Sequence, residues 1–234
     1  MLTWDDIWKS FRPVLPKVAA VTSELGGVLV GGTALAIHLE HRVSFDIDVQ
    51  VMVDFDSREL GGDLTRELDA YVEATATNYV HCLIDNIKVE VWKSRHRQVP
   101  IEDGPVVAGM QIASLRDLFA LKLGTIVDRR QFRDFYDIAT LTRQVMTLAD
   151  GLRSYAYRYG KLLTLDELDD VLHALKCPSE YIAPDPYFDH SREQVLTEIR
   201  SAADEVFSWM AAREGTHDSM GDPPDSPRLP PPVQ

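Results

Sequence analysis

The sequence predicts an α+β fold in two parts: an α/β segment over residues 1–110 and a helical segment over 111–212. Three observations carry this. Short runs rich in Val and Ile, bounded by turn residues, crowd the first half. From Ser114 onward the apolar residues instead recur at helical spacing. At 234 residues with 45% hydrophobic and 26% charged side chains, the chain has ordinary globular composition and length enough for a core in each part.

The elements follow in order. Trp4, Ile7, Trp8, Phe11 and Val14 or Leu15 recur at helical spacing, so 1–25 reads as helix, broken or reshaped near its end by Pro13 and Pro16. "GGVLV" supplies a short buried strand at Val28–Val30. "GGTALAIHLEHR" is a turn leading into a helix, and "FDIDVQVMV" alternates as a strand does. "DSRELGGDLTRELDAYVEA" reads as mostly helical, interrupted at Gly61 and Gly62. Two apolar runs around Asp85-Asn86 in "YVHCLIDNIKVEVW" predict a hairpin, and "VVAGMQIA" a further short strand. Helices are then expected over "SLRDLFALKLGTIVD", "RQFRDFYDIATLTRQVM", "LTLDELDDVLHALK" and "SREQVLTEIRSAADEVFSWMAARE". The end of the chain, "GDPPDSPRLPPPVQ", has six prolines in fourteen residues, so 213–234 is expected to be a disordered or extended tail.

Charge and composition narrow the function classes. Lys plus Arg number 24 and Asp plus Glu 37, a net charge of −13. That argues against a protein that coats nucleic acid, while leaving room for a local basic strip from Arg42, Lys93, Arg95, Arg97, Arg129 and Arg130. No apolar run approaches the length of a membrane span, and the acidic, amphipathic start is no secretory signal. Cys82 and Cys177 fall in no metal-type spacing, which fits reduced thiols in a cytoplasmic protein.

The chemistry gathers in "VGGTALAIHLEHRVSFDIDV". On a strand, Asp46 and Asp48 project to one side while Ile47 and Val49 face the other. Two adjacent carboxylates call for a counter-ion, and oxygen donors suit Mg²⁺ or Mn²⁺; the plain alternative is the solvated side of an edge strand. In "IKVEVW", Lys88, Glu90 and Trp92 share a face, so Glu90 could complete a carboxylate cluster if this strand lies beside the first, or be an ordinary surface acid. Gly31-Gly32 sits between a strand and a helix, where a tight turn and a helix N-terminus can receive a phosphate.

Together these residues resemble the nucleotidyltransferase signature of the DNA polymerase β superfamily: an apolar residue, a glycine pair, a spacer, then Asp-apolar-acid-apolar. The thirteen-residue spacer here lies at the long limit of that pattern. More narrowly, "GGTALAIHLEHRVSFDIDV" together with "LRDLFALKLGTIVDRRQFRDFYDIATL" resembles the AbiEii/MenT-type nucleotidyltransferase toxins over about residues 26–145. The resemblance implies a polymerase β-like N-terminal domain with a mixed sheet, followed by helices. It implies an NTP substrate with Gly31, Gly32, Thr33, Arg42, Ser44, Lys122 and Arg133 near the nucleotide. It implies Mg²⁺ or Mn²⁺ on Asp46, Asp48 and Glu90, with Asp46, Asp48, Lys122 and Asp134 catalytic. Glu90 stands where the superfamily usually has Asp, and Gln131 where a basic residue is expected.

Periodicity adds separate weight to Lys122, the charged member of a stripe with Leu115, Leu118, Phe119 and Ile126. In the next helix Arg130–Asp134 and Arg133–Asp137 read equally well as surface i,i+4 ion pairs. Asp134 or Asp137 could act as base or orienter; the resemblance favours Asp134. The leading expectation is a toxin that moves an NMP from an NTP to an acceptor hydroxyl, with the tRNA 3′ end as acceptor and a separately encoded antitoxin as partner. The competing readings are a protein or cationic antibiotic acceptor, and a non-catalytic nucleotide-binding module.

Overall fold

The computed structural model describes residues 8–9, 11–94, 100–177 and 191–214. The start of the expected first helix, Arg95 and Arg97 of the expected basic strip, and the Pro-rich end beyond Glu214 lie outside the described residues. The chain forms two compact units, residues 1–99 with 103–114, and residues 100–102 with 115–234.

The first unit contains α1 (Leu15–Thr22), β1 (Val28–Val30), α2 (Gly31–Leu39), β2 (Asp46–Val51), α3 (Ser57–Leu68), β3 (Tyr71–Ala76), β4 (Tyr79–Ile84), β5 (Ile87–Lys93), β6 (Val106–Val107) and β7 (Met110–Ile112). The seven strands make one mixed sheet in the order β3-β4-β5-β2-β1-β7-β6. β2 runs parallel to β5 and β1 parallel to β7; the other pairs are antiparallel. One face is a continuous apolar layer: Leu29, Ile47, Val49, Val51, Val80, Cys82, Val89, Val91, Met110 and Ile112 are all fully buried. Helix α2 packs on β1 and β2, α3 on β3 and β4, and α1 on α3 and β7. Because side chains alternate along each strand, that packing leaves Asp46, Asp48, Lys88, Glu90, Tyr79 and His81 together on the other face.

The α+β expectation and the mixed sheet hold, with local differences that have physical causes. β3 was expected to be the end of a helix. It is an edge strand with mostly exposed side chains and a bulge between Val72 and Ala74, so its residues never needed the alternation that marks a half-buried strand. α3 runs unbroken through Gly61 and Gly62, anchored by the Asp56 carboxylate, which accepts from the Arg58 and Glu59 backbone N–H groups. "VVAGMQIA" is a two-strand hairpin, not a single strand. The Asp85-Asn86 hairpin forms as expected, with both turn residues at positive φ (51° and 63°).

The second unit is helical: α4 (Leu115–Arg129), α5 (Phe132–Gln144), α6 (Leu148–Tyr159), α7 (Leu165–Lys176) and α8 (Arg192–Glu214). α4 packs on α5, α6 and α7, and α8 packs on α5, α6 and α7. Leu118, Phe119, Leu123, Ile126, Phe135, Ile138, Leu152, Leu168 and Val195 are buried between them. Buried Asp117 pairs with Arg158 and accepts the Ile101 backbone N–H, which ties 100–102 to this unit. Helix α6 has no counterpart in the expected elements. Its segment carries Gly151 and three tyrosines, which blur the helical stripe. Gly151 is required there because a Cβ would come within 2.6 Å of the Phe119 ring.

Candidate active site

The site in the first unit begins with the β1–α2 turn. Gly31 has φ +75°, and a Cβ at this position would run into the Asp48 carboxylate. A Cβ on Gly32 would lie 2.5 Å from Arg42 Nη2 and 2.9 Å from Ser44 Oγ. The glycine pair is therefore closely lined by an aspartate on one side and by a guanidinium and a hydroxyl on the other. Arg42 and Ser44 are themselves buried, and Arg42 Nη1 donates to the Val43 carbonyl at 2.9 Å, which fixes the guanidinium beside the turn. Val30 at the N-cap brings no capping side chain to α2, and a helix start of this kind is suited to an anion.

Thr33, expected near the nucleotide, is fully buried, and its hydroxyl donates to the Asp46 carbonyl. Its side chain fixes the distance between helix α2 and strand β2 and is not presented to a ligand.

Strand register brings the acids together. Asp48 pairs with Val30 on one side and with Glu90 on the other, and Asp46 pairs with Lys88. Paired residues in a ladder share a face, so Asp46, Asp48, Lys88 and Glu90 form a compact charged patch. Glu90 is held by two groups that sequence reasoning did not assign. The Tyr79 hydroxyl donates to Oε1, and Lys88 Nζ lies 2.9 Å from Oε2. Burial alone would raise the Glu90 carboxyl; Tyr79 and Lys88 outweigh it and hold the group below its ordinary value. Burial and the Glu90 carboxylate push the Tyr79 hydroxyl up. For Lys88, burial opposes the charge, but Glu90 and then Asp46 and Asp48 raise it. Lys88 was legible in principle, since it sits two residues from Glu90 at strand spacing; Tyr79 needed the hairpin register.

The donor set is all carboxylate, which is the chemistry a hard divalent cation takes. As the side chains stand, however, no group of three or more His, Cys, Asp or Glu is gathered for a metal among the described residues. Both Glu90 oxygens are engaged, Oε1 by Tyr79 and Oε2 by Lys88.

The second unit holds the other expected residues. Lys122 is 5% exposed, with Nζ 2.7 Å from Asp137 Oδ2 and 3.1 Å from Asp134 Oδ1. Both aspartates are fully buried. Asp134 also accepts two hydrogen bonds from Arg129, each at 2.9 Å. Burial alone would raise Asp134; Lys122 and Arg129 overcome it and hold the carboxyl below its ordinary value. This corrects two expectations. The i,i+4 pairs Arg130–Asp134 and Arg133–Asp137 are replaced by a buried network around Lys122 and Arg129, and Arg133 is exposed on α5. Asp134 has both oxygens engaged by cations. The expected basic strip is also altered, since Lys93 pairs with Asp54 at 2.7 Å, Arg129 with Asp134, and Arg42 is buried.

A glycine turn packed against one of two strand-borne aspartates, with a third acid directly across a parallel ladder, is the arrangement that the sequence resemblance leads one to expect of a nucleotidyltransferase. The chain belongs to the nucleotidyl transferase AbiEii toxin family of type IV toxin–antitoxin systems, whose family model matches residues 18–207, and it is a nucleotidyltransferase of that family. It is 28% identical over 138 residues to an uncharacterized protein of Aquifex aeolicus (strain VF5), covering 58% of this chain and 67% of that protein. Solved structures share the fold. MenT4, a nucleotidyltransferase toxin from Mycobacterium tuberculosis H37Rv, matches with a TM-score of 0.54 at 14% identity, covering 92% of this chain and 93% of that one. JHP933 from Helicobacter pylori matches with a TM-score of 0.52 at 16% identity, covering 89% and 95%.

Proposed function

We propose that this chain is a metal-dependent nucleotidyltransferase that moves an NMP from an NTP to an acceptor hydroxyl, releases pyrophosphate, and acts as a toxin on the tRNA 3′ end in the cytoplasm. The observation that supports it best is the glycine turn packed between Asp48 and the Arg42–Ser44 pair. It offers a phosphate a backbone cradle, a fixed guanidinium and a hydroxyl beside two carboxylates.

In this reading Asp46 and Asp48 hold Mg²⁺ or Mn²⁺, with Glu90 as a third ligand. A bound divalent cation would supply charge for the developing phosphorane and lower the pKa of the attacking hydroxyl. Arg42, Ser44 and the α2 N–H groups bind the nucleotide's phosphates and align them for in-line attack. In the second unit, Lys122 is the residue that the family resemblance assigns to the nucleotide, and buried Asp134 and Asp137 hold its ammonium. A separately encoded antitoxin is the partner that the toxin–antitoxin family implies. No helix among the described residues is long and apolar enough to cross a membrane.

The test is direct. Purified protein is incubated with Mg²⁺, each α-labelled NTP in turn, and total RNA, cell extract or a cationic aminoglycoside. Label on tRNA from the wild type and none from Asp48→Ala is expected. Label on protein instead would move the acceptor. Label on a cationic antibiotic would favour the second reading, to which the net charge of −13 is suited. Absence of label on every acceptor overturns the enzymatic reading.

A further inference from the structure

Lys88 sits where the charge of the site is balanced. The ladder pairs it with Asp46, and the next pair on that face is Asp48 with Glu90. Three carboxylates on one sheet face repel one another unless a cation joins them. The chain itself supplies one, for Lys88 Nζ lies 2.9 Å from Glu90 Oε2. The same bond occupies Glu90 Oε2, one of the two oxygens the carboxylate could offer a shared ligand. The pair is not sealed, with side chains 37% and 22% exposed. A lysine stem can release its ammonium to water with little distortion of the strand.

We infer that Lys88 is a tethered cation that holds Glu90 out of the metal's ligand set until an arriving divalent ion displaces it. The argument rests on the metal-dependent reading above. A divalent ion next to Asp46 and Asp48 repels the ammonium and attracts the Glu90 carboxylate, so both forces act to break the same ion pair. Tyr79 keeps its bond to the other oxygen, Oε1, and so steadies Glu90 while Lys88 leaves. Lys88 is thus a positioning residue: it stabilises the metal-free patch and weakens metal binding by the work of its own displacement.

The experiment measures Mn²⁺ binding to the full chain by the loss of the free-ion electron paramagnetic resonance signal. Lys88→Met is expected to bind Mn²⁺ about tenfold more tightly than wild type, the scale of removing one partly screened charge. Lys88→Arg keeps the charge and should follow wild type, and adding Glu90→Gln to Lys88→Met should remove most of the gain. An unchanged or weaker affinity in Lys88→Met overturns the inference. A gain that survives intact in the double variant also overturns it, because Glu90 would not be the released ligand. A second measurement needs no variant: Mg²⁺ should speed the acetylation of Lys88 by a soluble acylating reagent, read by mass spectrometry, and an unchanged or slower rate overturns the inference. Asp46→Asn separates the two levels. If it leaves Mn²⁺ binding intact, the metal site itself is misassigned; if it abolishes binding while Lys88→Met matches wild type, only the role of Lys88 falls.

Discussion

Asp48 on β2 lies directly across the parallel ladder from Glu90 on β5. One slip of register would set Val89 or Val91 opposite Asp48 and bury Glu90 in the apolar layer. The fully buried Ile47, Val49, Val89 and Val91 on the reverse face forbid that slip. The core of the first unit therefore fixes the position of the acids.

It follows that Asp46→Asn and Asp48→Asn should separate activity from folding. In the metal-dependent reading proposed above, each variant should lose nucleotidyl transfer by roughly 10³-fold or more, because several kcal/mol of transition-state stabilisation would go with the cation. The melting temperature should hold or rise, since a like charge leaves the patch. Single-turnover assays beside thermal melts check this; a parallel loss of both would assign the aspartates a structural role.

The two glycines predict different failures. Gly31→Ala forces a Cβ into a left-handed turn and against the Asp48 carboxylate. It should lower stability by about 1–3 kcal/mol and abolish transfer. Gly32→Ala has no such backbone demand, and its Cβ would displace the Arg42 guanidinium and the Ser44 hydroxyl. It should mainly raise KM for the NTP. Equilibrium unfolding and steady-state kinetics on both variants separate the two outcomes.

What could be read before the structure follows one division. The D-x-D pair, the glycine turn and the Lys122 stripe were legible because local spacing alone defines them. Tyr79 was not assigned because its partner is set by the hairpin register, and Arg129 was placed in a basic strip because its pairing with Asp134 across the α4–α5 turn is encoded by no periodicity. Strand β3 was misread for a related reason. As an exposed edge it lacks the apolar face that marks a strand, and its neighbour α3 supplied a stronger helical pattern.

The Lys122 network should be costly to open. Lys122→Met leaves Asp134 and Asp137 buried without their shared cation. The loss should be about 3–5 kcal/mol in unfolding free energy, the range for breaking a buried ion pair from one side. Arg129→Met removes a 40% exposed partner and should cost clearly less. Denaturant titrations of the two variants check the order; equal losses would show that Lys122 does not carry the network.

The same network predicts acid sensitivity of a given sign. Asp134 has an ordinary pKa of 3.8, and in the folded state it is held lower because Lys122 and Arg129 outweigh the effect of burial. A depressed folded value means that the contribution is complete above the ordinary pKa. It is lost as pH falls through the lower folded one. Asp134→Asn should therefore be less stable than wild type at neutral pH, and the gap should close only below the ordinary carboxylate range. Unfolding free energies measured from neutral pH downward test the sign; a gap that widens in acid would be incompatible with it.

The two thiols should report the fold in a simple assay. Cys82 is fully buried in the apolar layer, and burial, with a smaller push from Glu73, raises its thiol to about 11. Little thiolate exists there near neutral pH, and a reagent has no path to it. Cys177 follows α7 and is exposed. A chromogenic disulfide reagent should thus titrate one thiol quickly in the native protein and the second only on unfolding. Mass mapping should place the fast label on Cys177. Rapid labelling of Cys82 in the native state would mean that the sheet opens on the assay timescale, and with it the register that holds Asp48 opposite Glu90.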